Sequence, residues 1–289
     1  MSKPTCALIT GASSGIGEAF ARVLAAEGVH LYLLARREER LDALKKELET
    51  RHHVQIRVIP CDLRTEAARL NAWQKIQNNS VDPAMKISMK IDCLINNAGL
   101  GASGWFAKMG WHRMAETIDV NISALTHFAS LVLPDMMAAN RGWICNVSST
   151  AGFQPGPKMA VYYASKAYVT SLSEALTHEV RHTEIKISAL CPGPVETEFA
   201  SAASMHSSRL FRLIKPMTSE KVARIGYRGM LKGQPVVIDS KLLSIAAFLN
   251  RFMPRPAILA MTAFLNGAAR MKKKKGIEHE TGNEKGHRQ

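Results

Sequence analysis

The chain has 289 residues, of which 46% are hydrophobic and 21% are charged. These proportions fit a folded globular protein and exclude a collagen-like or wholly disordered chain, and no apolar run reaches the roughly 18 residues that a membrane-spanning helix needs. The net charge is +14, and residues 205–289, with 17 Lys or Arg against 5 Asp or Glu, carry +12 of it.

Strands and helices alternate along the first two thirds of the chain. The predicted strands cover residues 5–9, 29–34, 55–59, 91–95, 143–147 and 185–190, and the predicted helices cover residues 15–27, 38–50, 65–77, 111–137 and 162–181. This alternation predicts an α/β fold, a single Rossmann-like, doubly wound parallel sheet with helices on both faces. Ligands bind such sheets beyond the carboxyl ends of the strands.

The stretch between the first strand and the first helix is rich in glycine and predicts a dinucleotide loop. Glycine lets the backbone approach a pyrophosphate at the positive end of a helix. A glycine-rich stretch by itself could equally be a tight turn. The predicted cofactor contacts in this stretch are Gly11, Ser13, Ser14, Gly15, Ile16 and Gly17.

The end of the second strand, Leu34-Ala35-Arg36-Arg37, bears on cofactor choice. Enzymes that select NAD usually place an acidic residue here for the ribose 2′-hydroxyl, whereas a nearby arginine suits a 2′-phosphate. No acid is present, so NADP(H) is predicted over NAD(H), with Arg36 as a contact. The alternative is an arginine that faces solvent at the start of a helix.

A tyrosine and a lysine one helical turn apart predict acid–base chemistry. Tyr162 and Lys166 share a helix face. A free tyrosine has a pKa of about 10, and the ammonium of Lys166 should lower it. Ser149 would orient a carbonyl oxygen by a hydrogen bond. Alternatively, Ser148 and Ser149 are turn residues; Tyr163 is a competing phenol, but no lysine lies four residues after it.

These motifs occur in an order that resembles the short-chain dehydrogenase/reductase family over about residues 5–200. The matching pieces are the glycine-rich stretch, Asn96-Asn97-Ala98-Gly99, Ser149, Tyr162-x-x-x-Lys166 and Pro192-Gly193. The resemblance implies a catalytic set of Asn121, Ser149, Tyr162 and Lys166. The alternative for Asn121 is a hydrogen bond within its own helix.

The resemblance also assigns further roles. It implies that Lys166 holds the nicotinamide ribose and that Asn121 orders a water in a proton relay. It places Asp62 near the adenine, Asn97 along the cofactor, and Val195 and Thr197 at the carboxamide. No metal is expected.

The expected activity is hydride transfer between a nicotinamide and the carbonyl or secondary alcohol of a small, hydrophobic molecule in the cell interior. A dinucleotide-binding regulator or scaffold with the same fold is the alternative. The complete set of four side chains favours the enzyme, because a pure binder has no need of Tyr162. Only net charge would support a nucleic-acid partner, and none is expected.

The last part of the chain departs from the family pattern. Residues 78–90 are a modest insertion, and residues 196–216 form a loop before a helix at 219–231 and a strand at 235–238. We expect a catalytic domain over residues 1–240, an apolar helical extension over 241–271 and a basic disordered tail over 272–289. The family's usual tetramer contact is therefore in doubt, and a homodimer is expected.

The apolar segments at residues 242–249 and 257–265 admit three interpretations. They could lie in a membrane interface, cap the substrate cleft in favour of long apolar substrates, or be ordinary core helices. The five scattered cysteines read as reduced core thiols, which indicates a reducing compartment. A cytoplasmic location is expected, with membrane association left open.

Overall fold

The computed structural model describes residues 3–79, 89–199, 209 and 213–267. Most of the expected insertion at 78–90, most of the loop at 196–216 and the whole tail at 272–289 lie outside the described residues.

Seven parallel strands form the central sheet. They are β1 (Cys6–Thr10), β2 (His30–Ala35), β3 (Ile56–Pro60), β4 (Cys93–Asn96), β5 (Gly142–Val147), β6 (Ile185–Cys191) and β9 (Val236–Ile238), and a separate two-stranded ladder joins β7 (Val195–Glu196) to β8 (Met217–Thr218). The sheet order is β3-β2-β1-β4-β5-β6-β9. The direction of winding therefore reverses between β1 and β4, where the carboxyl ends of a doubly wound sheet leave a crevice.

Nine α-helices are seen in the described part of the chain. They are α1 (Gly15–Ala26), α2 (Glu38–His52), α3 (Glu66–Asn79), α4 (Trp111–Ile118), α5 (Leu125–Ala138), α6 (Ala160–Glu179), α7 (Ser219–Leu231), α8 (Lys241–Leu249) and α9 (Arg255–Leu265). Two apolar cores lie on opposite faces of the sheet, one packed by α1, α2 and α7 and the other by α3 and α5. The predicted fold class is confirmed.

The single helix predicted over residues 111–137 is wrong in one respect. A π-helical turn at Asp119–Ala124 separates α4 from α5. A π turn accommodates an extra residue and redirects the side chains within it. Apolar periodicity could not show this, because the interruption depends on a contact that Asn121 makes outside its own helix.

All five cysteines are buried and free, as predicted. Burial raises the pKa of the Cys191 thiol to about 11 and that of the Cys145 thiol to about 12. These thiols therefore stay protonated at neutral pH and behave as small apolar side chains. Within the described ranges, no helix combines the length and the apolar character needed to cross a bilayer.

Candidate active site

A cavity of about 560 Å³ opens beyond the carboxyl ends of the parallel strands. Every site residue predicted from the sequence lines it, except Gly17 and Asn121. Both exceptions are buried, and each contacts a residue that lines the cavity: Gly17 lies against Gly11, and Asn121 hydrogen-bonds Leu100. The cavity runs from the glycine-rich stretch after β1 to the start of α6, so it places the predicted cofactor contacts and Tyr162 in one continuous space.

The glycines of the loop after β1 are required by its geometry. Gly11 and Gly15 have φ values of +67° and +59°, which L side chains rarely adopt. A Cβ on Gly17 would lie 2.3 Å from the carbonyl oxygen of Gly11, so any side chain would push the loop apart. The loop leads directly into α1, whose first backbone amides form the positive end of the helix.

Asn97 fastens this loop to the neighbouring strand. Its Nδ2 donates to the carbonyl oxygens of Thr10, at 3.0 Å, and Gly11, at 3.2 Å. The Oγ1 of Thr10 in return accepts from the backbone amides of Asn97 and Ala98, both at 3.0 Å. The Asn97 amide group therefore holds the loop in place, while the residue also forms part of the cavity wall.

Arg37 is the arginine that binds the loop. Its guanidinium donates to Oγ of Ser14 at 2.8 Å and to Oγ of Ser13 at 3.1 Å. The same group forms an ion pair with Glu198 at 2.7 Å, which also contacts Arg40 at 2.6 Å. Hydrogen bonds from Arg40 and then Arg37 lower the pKa of Glu198 to about 2. Two guanidinium groups therefore converge on one carboxylate, that of Glu198, at this end of the cavity.

Arg36 and Asp62 both line the cavity. A hydrogen bond from Arg64 lowers the pKa of Asp62, and Arg36 contributes a weaker electrostatic effect. Arg64 holds Asp62 at 2.5 Å and also pairs with Glu116. Sequence reasoning missed Arg64, although its position two residues after an aspartate at a strand end was a usable signal.

Asn121 connects three elements. Its Oδ1 accepts from the amide of Leu100 at 2.7 Å, and its Nδ2 donates to the Leu100 carbonyl at 2.9 Å and to Ser165 Oγ at 2.9 Å. The side chain is completely buried. The alternative of a hydrogen bond within its own helix is therefore wrong. Asn121 ties the π turn to the loop after β4 and to α6.

Ser148 and Ser149 have different surroundings. Ser148 is buried and hydrogen-bonds the Lys166 carbonyl at 2.8 Å and Thr170 at 2.7 Å, so it is structural. Ser149 lines the cavity with Tyr162 and lowers the pKa of that phenol. Its Oγ also accepts from the amide of Ala151 at 3.1 Å, which caps a short 3₁₀ turn and fixes the hydroxyl in position.

Tyr162 and Lys166 face the cavity from the first turns of α6. Burial raises the pKa of Tyr162, and the hydrogen bond with Ser149 offsets only part of that increase. Burial also lowers the pKa of Lys166 to about 8. The Lys166 Nζ donates to the Val147 carbonyl at 2.8 Å and lies 5.8 Å from the centre of the Tyr162 ring.

The expectation that Lys166 lowers the pKa of Tyr162 is therefore wrong for this geometry. Both groups are desolvated, and burial disfavours the charged form of each one. The Lys166 ammonium donates a hydrogen bond to the Val147 carbonyl and not to the phenol of Tyr162. At neutral pH Tyr162 is thus a protonated phenol.

Tyr163 has a structural role that sequence reasoning did not assign. Its hydroxyl donates to Oδ1 of Asn266 at 3.1 Å, and the Nδ2 of Asn266 donates to the Pro157 carbonyl at 3.1 Å. Asn266 lies just after α9, so this pair holds the end of α9 beside Tyr162. A buried contact over more than a hundred residues of chain leaves no local signal in the sequence.

Helices α8 and α9 contribute apolar side chains to the cavity wall. Leu243 and Ala247 of α8 and Met261 and Leu265 of α9 line it. Phe199 adds an aromatic ring whose centre is 5.5 Å from that of Tyr162. This half of the cavity is therefore apolar, whereas the half beside Arg37 is cationic.

The described residues contain no group of three or more His, Cys, Asp or Glu side chains that could hold a metal ion. The residues that are present do fit a nicotinamide dinucleotide. The glycines of the loop after β1, which place no side chains in the way, let a phosphorylated ligand approach the backbone. The positive end of α1 and the cations after β2 would attract the negative charge of that ligand.

Comparison with known proteins gives the same result. Residues 5–207 match the family described as short chain dehydrogenase. Sulfoacetaldehyde reductase 2 of Chromohalobacter salexigens is 35% identical over 227 residues, which is 75% of this chain and 85% of that protein.

Two solved structures are similar along most of their length. The short-chain dehydrogenase of Sphingobium yanoikuyae in complex with NADPH has a TM-score of 0.73 and 30% identity, covering 88% of this chain and 97% of that one. The bulky-bulky ketone specific alcohol dehydrogenase of Comamonas testosteroni has a TM-score of 0.72 and 28% identity, covering 87% and 92%. The chain therefore belongs to the short-chain dehydrogenase family and is an NAD(P)-dependent dehydrogenase or reductase.

Proposed function

We propose that the protein is an NADP(H)-dependent carbonyl reductase, or alcohol dehydrogenase in the reverse direction, that acts on a hydrophobic substrate with Tyr162 as its acid–base group. The observation that carries this proposal is the buried phenol of Tyr162, which lines one cavity together with Ser149, Lys166 and the glycine loop. When bound, the nicotinamide supplies or accepts the hydride.

The chain's own residues supply the proton and the orientation. Because burial raises the pKa of Tyr162, the phenol carries its proton at neutral pH and can donate it to a carbonyl oxygen. Ser149 would hold that oxygen against the phenol, since its hydroxyl is fixed at the cavity wall. The ammonium of Lys166, 5.8 Å from the centre of the Tyr162 ring, would bind the nicotinamide ribose, and Asn121 would keep α6 in register with the loop after β4.

The preference for NADP(H) is supported by the contacts of Arg37. Two guanidinium groups, those of Arg37 and Arg40, hold the carboxylate of Glu198 at the end of the cavity beside β2. A 2′-phosphate offers the same chemistry, anionic oxygen atoms that accept charge-assisted hydrogen bonds. Arg36 lines the same wall, and no acidic residue stands at the end of β2.

Replacing both Arg36 and Arg37 by Ala should lower kcat/KM for NADPH by about 10- to 100-fold, because each charge-assisted hydrogen bond contributes about 1.5 kcal/mol or more. The value for NADH should change less than about threefold. Steady-state kinetics with each cofactor measures both effects. The matched control is Lys46→Ala, which removes an exposed cation from α2, the helix that follows Arg36 and Arg37. An unchanged NADPH/NADH ratio in the double variant would remove the arginines from cofactor selection.

An apolar substrate is favoured by the distribution of charge in the cavity. Among its described lining residues, the cations other than Lys166 are Arg36, Arg37 and Arg64, and all three lie near the ends of β2 and β3. The walls near Tyr162 come from Phe199 and from the apolar side chains of α8 and α9. A sulfonate such as that of the Chromohalobacter enzyme's substrate would need a cation there, whereas a bulky ketone would not.

The pH dependence of reduction should report Lys166. Its pKa is lowered to about 8 by burial, so the side chain is an ammonium below that pH and a neutral amine above it. We expect kcat/KM for reduction, which reports ionisations of the free enzyme, to fall as pH rises through about 8. The Lys166→Arg variant, which stays charged, should keep its residual activity flat across this range. A wild-type profile that stays flat to about pH 9.5 would contradict this role for Lys166.

The proposal as a whole is tested by NADPH consumption, followed by near-UV absorbance, with carbonyl compounds that range from small diketones to long-chain and polycyclic ketones. Turnover that increases with apolar size supports the reductase and its substrate class. Binding of NADPH without turnover of any member of the panel would favour a regulatory dinucleotide-binding protein.

A further inference from the structure

The outer surface of α8 and α9 is apolar and exposed. Phe248 and Phe252 are 55% and 72% exposed, with ring centres 5.3 Å apart, and Leu242 and Ile245 on the same helix are 70% and 58% exposed. Leu259 and Phe264 continue the exposed apolar surface on α9. Single exposed apolar side chains are common on soluble proteins, but a contiguous cluster rimmed by cations marks an interaction surface.

These helices are held firmly in place, so the exposure is a property of the fold. The two contacts of Asn266 with Tyr163 and Pro157 hold the end of α9. Asn250, just after α8, donates to Oε1 of Gln154 at 2.8 Å, and Lys158 Nζ donates to the Gly267 carbonyl at 3.2 Å. Ile258 and Thr262 of α9 are buried, whereas no residue of α8 is buried and its Leu243 and Ala247 line the cavity.

The charges around this surface have one sign. Lys241, Arg251 and Arg255 are exposed and form no ion pair with any residue that the structure describes. Arg209 lies with its guanidinium carbon 4.1 Å from the centre of the Phe264 ring. In sequence, residues 241–277 contain eight Lys or Arg and no Asp or Glu. The surface thus combines apolar side chains with cations that lack acidic neighbours.

From this combination we propose that α8 and α9 form a docking surface for an anionic lipid bilayer. Phenyl and aliphatic side chains would enter the acyl boundary, and the cations would meet the lipid headgroups. With 9 and 11 residues, the helices are too short to span the bilayer, so they would lie in its interface.

A second copy of this chain fits the surface less well. A two-fold dimer places the same patch against itself. Arg251 and Arg255 would then approach their own copies with no acidic residue in 241–267 to compensate them. An anionic bilayer instead supplies the opposite charge over the whole surface.

The position of the surface links docking to the cavity, a consequence that rests on the proposed function. Leu243 and Ala247 of α8 line the cavity, whereas Phe248 of the same helix and Phe252, just beyond its end, are exposed. Only the thickness of α8 and α9 separates a bound bilayer from the substrate half of the cavity. An apolar carbonyl dissolved in lipid would reach Tyr162 without crossing much water.

The test is flotation of the full chain with vesicles of equal parts phosphatidylglycerol and phosphatidylcholine, and with vesicles of phosphatidylcholine alone. We expect binding to the anionic vesicles that weakens as salt rises. Phe248→Ser with Phe252→Ser should reduce the partition coefficient at least about tenfold, and Arg251→Glu with Arg255→Glu should do so by a similar factor. The matched control is Leu70→Ser with Met137→Ser, which removes two exposed apolar side chains elsewhere and should leave binding unchanged.

Flotation needs no turnover, so it stays informative if the proposed reductase activity fails. Three results would overturn the proposal. The wild type could fail to float with anionic vesicles. Both patch variants could float like the wild type, which would assign binding to the basic tail alone. Sedimentation velocity could show a dimer that the phenylalanine variant converts to a monomer, without any vesicle binding, which would make the patch an interface between copies. Melting temperatures within a few degrees of the wild type confirm that the variants are folded.

Discussion

The Tyr162→Phe variant is expected to lose at least about 100-fold, and up to about 10⁴-fold, of the NADPH-dependent carbonyl reduction, because general acid catalysis contributes rate factors of that size. The substitution removes only the hydroxyl that Ser149 contacts. The ring keeps its contact with Phe199, so the variant should fold and bind NADPH like the wild type. Single-turnover NADPH oxidation, with NADPH binding followed by fluorescence, separates loss of chemistry from loss of binding.

The matched control for this prediction is the neighbouring phenol. Tyr163→Phe removes a hydroxyl that donates to Oδ1 of Asn266 at 3.1 Å. It should lower the free energy of unfolding by about 1 kcal/mol, because one buried hydrogen bond is lost, and it should keep most of the turnover. If Tyr163→Phe lost as much turnover as Tyr162→Phe, the assignment of the acid to Tyr162 would fail.

The Lys166→Met variant is expected to lose turnover while gaining stability at pH 7. The pKa of the buried Lys166 is about 8 in the folded protein and 10.5 in its reference state. At pH 7 the group is protonated in both states, and its buried charge opposes folding; that opposition disappears as pH rises from about 8 to 10.5. Methionine has a similar shape without the charge. We therefore expect a gain of about 1 kcal/mol or more in the free energy of unfolding. This gain is smaller than the free energy that corresponds to the full pKa difference, because the Val147 carbonyl loses its hydrogen-bond donor in the variant.

Chemical denaturation at pH 7 and at pH 10, with reductase assays on the same samples, measures both parts of this prediction. The stability gain should shrink at the higher pH, where the wild-type lysine is largely neutral. If the variant were less stable than the wild type at pH 7, the packing and hydrogen bonding of Lys166 would contribute more to stability than its buried charge costs. Retained turnover would remove its ammonium from catalysis.

Local patterns along the chain were enough to predict the order of strands and helices in the first two thirds of the protein. Each strand of a parallel sheet is covered on both faces, so it reads as a short apolar run, and each helix reads as an amphipathic stretch. The break at Asp119–Ala124 escaped this reasoning because the segment contains no proline or glycine to mark it. Within it, Asn121 hydrogen-bonds Leu100 and Ser165, both on other elements.

Inside the candidate site, too, local features were predictable from the sequence and features that depend on distant contacts were not. The chain order of the glycine loop, Ser149, Tyr162 and Lys166 was readable, because each lies at a strand end or one helical turn from its partner. The sequence could not show which of two neighbouring hydroxyl groups has a structural role. Ser148 hydrogen-bonds the Lys166 carbonyl and Tyr163 hydrogen-bonds Asn266, whereas the hydroxyls of Ser149 and Tyr162 influence each other in the cavity. Electrostatics was likewise beyond the sequence, since the pKa of Tyr162 depends on how much water the fold removes.

Sequence by itself determined that this protein is an α/β dinucleotide-binding chain with the residues of a hydride-transfer enzyme, because periodicity, turn chemistry and motif spacing are local properties. Tertiary structure alone decided that Arg37 binds the loop serines, that Tyr162 stays protonated, and that α8 and α9 wall the cavity on one side and expose apolar side chains on the other. Each of these outcomes depends on burial and on contacts between residues that are distant in sequence, and a local sequence pattern indicates neither burial nor such contacts.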